Sequence, residues 1–72
     1  MTTYYQVVFP GDVRAYLLDA GYNAGYVLVP TGGTRGMSKS SAENAVERFY
    51  LRHAEYAPGL QEKFPATLVP IS

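Results

Sequence analysis

The apolar positions change period along the chain. Over residues 2–9 they alternate as in a strand: Thr3, Tyr5, Val7 and Phe9 share one face, Tyr4, Gln6 and Val8 the other. The first set is expected to face a core, and Pro10-Gly11 ends the strand. From Val13 the period becomes helical, with Val13, Tyr16, Leu17 and Ala20 at i, i+3, i+4 and i+7. Asp12 stands where an N-cap belongs and Gly21 where a left-handed terminator belongs. Val, Tyr and Leu also tolerate extended backbone, so 13–18 has a rival reading as one arm of a hairpin with 25–30. Cap, stripe and terminator together favour the helix.

Gly21 to Gly25 reads as a turn, and Tyr26-Val27-Leu28-Val29 as a strand apolar on both faces, which predicts a central position covered on each side. Pro30 ends it, and a glycine-rich loop follows. Ser40-Ser41-Ala42-Glu43 has the form of a capping box. It opens a helix predicted to run from Ser40 to about Tyr56. Ala42, Ala45, Val46, Phe49, His53, Tyr56 and Ala57 fall on one side of that helix, and Asn44, Glu47, Arg48, Leu51 and Glu55 on the other. Residues 57–65 are expected to be a loop with a single turn at 60–63. A last strand, 66–71, carries Pro70 and so belongs at an edge. The order β-α-β-α-β predicts a small α+β sandwich, a three-stranded sheet with two helices, as a single domain over residues 1–72.

Size and charge narrow the picture. Small chains bury a low fraction of their surface, and this one, at 72 residues, has no Cys for a disulfide and a single His, which makes a structural zinc site implausible. Packing of its seven Tyr and three Phe must carry stability. The formal net charge of zero argues against a general nucleic-acid coat. Locally, Arg35, Lys39, Arg48 and Arg52 outweigh Glu43 and Glu47, so residues 31–53 carry +2 and each flank −1. The first residues lack the charged and apolar regions of a signal peptide, and no apolar run reaches the length of a membrane span. A cytoplasmic protein with no membrane contact and no cofactor is expected.

The loop Thr31-Gly32-Gly33-Thr34-Arg35-Gly36, between an apolar run and a capped helix, has the layout of an anion cradle. Its letters resemble the cofactor loop of short-chain dehydrogenases, T-G-x-x-x-G-x-G, through Thr31, Gly32 and Gly36. The resemblance would imply a nucleotide-binding fold. However, Ser38 stands at the last glycine, Pro30 interrupts strand and loop, and no Tyr-x-x-x-Lys follows. Seventy-two residues also cannot supply the six or seven strands of that family. The plain reading is a crossover loop with ordinary capping serines. His53, lone on an apolar helix face, reads as a structural residue.

No paired carboxylates, nucleophile–base pair or metal cluster stands out, so an enzyme is not expected. Tyr4, Tyr22, Tyr26, Tyr50 and Tyr56 are too many to bury in so small a body, and Tyr with Arg is the chemistry of binding hot spots. Compact, cysteine-free, aromatic-rich and without a motif, the chain is similar in type to small phage-encoded inhibitors such as anti-CRISPR proteins. That likeness implies a non-enzymatic interaction protein that inhibits or modulates a larger protein or nucleoprotein complex by surface occlusion. The expected contact residues are Thr34, Arg35, Lys39, Arg48, Leu51 and Arg52. The alternative is a small nucleic-acid-contacting accessory protein using the same basic loop and helix. A homodimer is a third arrangement compatible with the sequence.

Overall fold

In the computed structural model, which describes residues 3–71, the elements run β1 (Tyr5–Val8), α1 (Val13–Asp19), α2 (Lys39–His53), α3 (Leu60–Lys63) and β2 (Thr67–Pro70). The fold is a small α+β arrangement with one antiparallel pair, β1 with β2, in the register Tyr5↔Pro70, Gln6↔Val69, Val7↔Leu68 and Val8↔Thr67. Thr2, the expected first strand residue, lies outside the described residues. The alternation in β1 is as expected: Val7 is buried, Tyr5 and Phe9 are half-buried, and Tyr4 and Val8 face solvent.

The expected third strand is not there, and the order is β-α-α-α-β. Residues 24–26 form a turn in which the amides of both Tyr26 and Val27 donate to the Asn23 carbonyl. Beyond it Val27 and Val29 pack inward while Leu28 stays 64% exposed. The apolar run is therefore tethered by side chains and joins no ladder. The place it would have occupied beside β1 is taken by the glycine loop. Val7 N–H donates to Thr31 O at 3.0 Å, and Tyr5 and Met37 exchange backbone bonds at 2.7 and 2.8 Å. On the other side of the pair, alternate residues of β2 address opposite edges. Thr67 and Val69 face β1, so the outer edge offers the Leu68 amide and, at Pro70, no N–H at all. That blunts it against strand addition.

α1 follows its local signals. The Asp12 carboxylate accepts from the Ala15 amide at 3.0 Å. At the other end Gly21 N–H reaches Leu18 O and Tyr22 N–H reaches Leu17 O, with Gly21 at φ 104°. This double closure needs a left-handed residue at its centre, which glycine supplies without strain. The hairpin alternative for 13–18 is thereby excluded. α2 begins at Lys39, one residue before the expected start, and its N-cap is Ser38, two positions before Ser40. Ser38 Oγ accepts from the Ser41 amide at 3.4 Å and donates to Ser41 Oγ at 3.0 Å. The reason is non-local: pairing of Met37 with Tyr5 holds the chain extended up to Ser38, and the helix starts immediately after. It also stops early, at His53, and a turn over 54–56 leaves Tyr56 64% exposed, not on the core side as expected.

Val13, Leu17, Val27, Phe49, Ala57 and Leu60 form the buried cluster. α3, the single turn expected at 60–63, drops Leu60 into it. Tyr50 fastens α2 to the segment entering β2: its hydroxyl donates to Phe64 O at 2.8 Å and accepts from the Ala66 amide at 2.9 Å. Among the described residues no helix is long and apolar enough to cross a membrane.

Candidate functional site

α2, about 22 Å long at 1.5 Å per residue, separates two regions of different character. At its N-terminal end lies the glycine loop. Gly36 has φ 79°, and a Cβ there would stand 2.7 Å from Ile71 Cδ1 and 3.0 Å from Tyr5 O; one at Gly32 would stand 2.9 Å from the same carbonyl. These glycines let the loop lie against the β1 backbone. The Gly33 amide is bonded to Thr31 Oγ1, the Gly36 amide to Gly32 O and the Met37 amide to Tyr5 O, while Gln6 Nε2 donates to Gly33 O at 2.8 Å. The loop is a clasp on the strand.

The six residues expected to form one contact edge fall in three places. Thr34 and Arg35 are exposed on the loop's turn, and Lys39 is exposed at the first residue of α2. Arg48 is nine positions beyond Lys39, about half a turn around the axis and roughly 13 Å along it. Arg48 and Arg52 lie on successive turns and border a shallow hollow with Leu28 and Pro30. Leu51, 70% exposed, opens instead onto hollows between α2 and α3, beside Tyr50 and Gln61.

The C-terminal end of α2 gathers a different set. The closure of α1 sets Tyr22, the 24–26 turn sets Tyr26, and the turn after α2 sets Tyr56. The Tyr22 and Tyr26 rings are parallel to within 2° with centroids 5.8 Å apart, and Tyr56 meets Tyr22 edge-on at 5.5 Å. With Ala20, Gly21, Asn23, Arg52 and Glu55 they line an open cleft of about 570 Å³. The Arg52 guanidinium stands over the Tyr26 ring, 5.8 Å from its centroid. Tyr26 and Tyr56 remain 49% and 64% exposed.

Beneath the tyrosines lies His53, fully buried, against Tyr22 at 4.5 Å and Phe49 at 5.0 Å between ring centroids. Neither of its nitrogens has a hydrogen-bond partner among the described residues, and the buried Tyr22 hydroxyl has none either. Burial, and secondarily the Arg52 charge, hold the His53 pKa below its ordinary 6.5. The imidazole is thus neutral at pH 7 and adds no positive charge to the cleft. Among the described residues no three His, Cys, Asp or Glu side chains converge to hold a metal ion.

Of the expected contact residues only Arg52 lines this cleft. The excess of tyrosines was the sequence signal for it. Their convergence depends on two turns and an early helix end, which periodicity does not report. No family model, curated protein or solved structure matches the chain.

Proposed function

We propose that this chain is a small non-enzymatic interaction protein that acts by occupying a surface of a larger protein or nucleoprotein complex, with the tyrosine cleft as its principal contact. One observation carries the reading: three tyrosines and an arginine, residue types rich in binding hot spots, line one open cleft with Tyr26 and Tyr56 exposed. The rings are already packed against one another, so little side-chain freedom is lost on docking. Inhibition by occlusion, the mode shared by small phage-encoded inhibitors such as anti-CRISPR proteins, needs only such a surface. The test is capture of the partner complex from source-cell lysate by wild type, Tyr56→Ala and the double variant Arg35→Glu, Lys39→Glu. Loss with Tyr56→Ala and retention with the double variant is the expected result. The reverse would return the contact to the loop.

A second reading has its own observation. Arg48 and Arg52 project from successive turns beside Leu28 and Pro30, an arrangement suited to a phosphate backbone. Direct nucleic-acid binding that weakens steeply with salt and is lost in Arg48→Ala would support it. Salt-tolerant capture of a protein supports the first reading.

A further inference from the structure

We propose that the tyrosine cleft receives a cationic side chain, an arginine in first place, presented by a partner protein; this rests on the reading of the cleft as a contact surface and adds the chemistry of what enters it. Tyrosine faces carry negative quadrupole charge, and here two parallel faces and one perpendicular ring border the same space. The chain's own Arg52 guanidinium already sits 5.8 Å from the Tyr26 centroid, so a planar cation fits against this aromatic wall. Tyr56, 64% exposed, extends the same wall to the open side.

The remaining electrostatics point the same way. Glu55 lines the cleft and supplies a carboxylate for a paired hydrogen bond. The cleft also lies at the C-terminal end of α2, the negative end of the helix dipole. An anionic guest would find one cation, Arg52, already set against Tyr26, in a cleft that the Glu55 carboxylate also lines. His53, neutral beneath the rings, would not help it.

The experiment uses the full chain labelled with ¹⁵N and titrates four blocked amino-acid amides: arginine, lysine, citrulline and glutamate. Citrulline keeps the shape of arginine without its charge. Arginine is expected to shift the amides of Tyr22, Tyr26, Glu55 and Tyr56 saturably, with lysine weaker. Citrulline should bind about tenfold more weakly than arginine, and glutamate should leave these amides unmoved. Glu55→Gln, a change at an exposed position, should weaken arginine about three- to tenfold. Equal binding of citrulline, or binding of glutamate at the same amides, overturns the cation while leaving the cleft as a contact surface. If no probe moves these amides, the cation is also overturned. Partner capture by Tyr56→Ala then decides the cleft separately: lost capture keeps it as the contact, and intact capture removes both readings.

Discussion

The two ends of α2 are held by different forces. At the N-terminal end the contacts run backbone to backbone, in the Tyr5–Met37 exchange and Val7 to Thr31, joined by a serine side-chain cap. Such contacts demand close approach and admit little besides glycine at Gly36. At the C-terminal end the contacts are aromatic side chains packed around a histidine with no hydrogen-bond partner among the described residues. The first end pairs backbone groups of Tyr5, Val7, Thr31 and Met37 internally and leaves Thr34, Arg35 and Lys39 exposed. The second leaves rings, a carboxylate and a guanidinium facing water. A glycine-rich loop thus marks architecture here, and the tyrosine cleft forms where the sequence carries no motif.

Phe49 stands between the two ends, 5.5 Å from Phe9 and 5.0 Å from His53, and is 4% exposed. Phe49→Ala should cost about 3–5 kcal/mol in urea denaturation, unfolding both ends together. A small loss confined to one end would mean that the ends are independent units. Gly36→Ala should break the N-terminal end alone. It combines a left-handed backbone with contacts too short for a Cβ, for about 2–3 kcal/mol, whereas Gly25→Ala, with open space around it, should be near neutral. Equal effects would refute the clasp. Ser38→Ala should cost about 1 kcal/mol and Ser40→Ala only a few tenths; the reverse order in thermal melts would restore the cap to Ser40.

The smallest effect concerns acid. The native pKa of His53 lies below its ordinary 6.5, so between those values the unfolded chain binds more protons than the folded one. Stability is therefore full above about pH 6.5 and falls as pH drops from there toward the lowered native value. His53→Leu should abolish that slope and, by removing two unpartnered buried nitrogens, should leave stability at pH 7 nearly unchanged. An unaltered slope in His53→Leu would place the titration elsewhere.

What was legible in the sequence was local. Asp12, the Val13–Leu17 stripe and Gly21 specify α1 within ten residues, and the alternation around Val7 specifies β1. The capping serine was misplaced by two because Ser38 and Ser40 are chemically equal, and only the Tyr5–Met37 contact, 32 positions apart in the chain, chooses between them. The run at 26–29 has the composition of a central strand, but a strand is defined by backbone partners, and β1 is already paired on both sides by β2 and the loop. The proposed contact surface was half legible. Surplus tyrosine signalled the cleft, while the basic residues are divided between the loop, the start of α2 and its later turns. Arg52 alone belonged to both descriptions.

Hydrogen exchange by mass spectrometry, on the chain alone and bound to its captured partner, compares the two ends in one measurement. Slowed exchange in peptides covering 20–26 and 52–57, with 31–39 unchanged, is the expected result. Protection confined to 31–39, with the tyrosine cleft exchanging as in the free chain, would contradict the division of labour between the two ends.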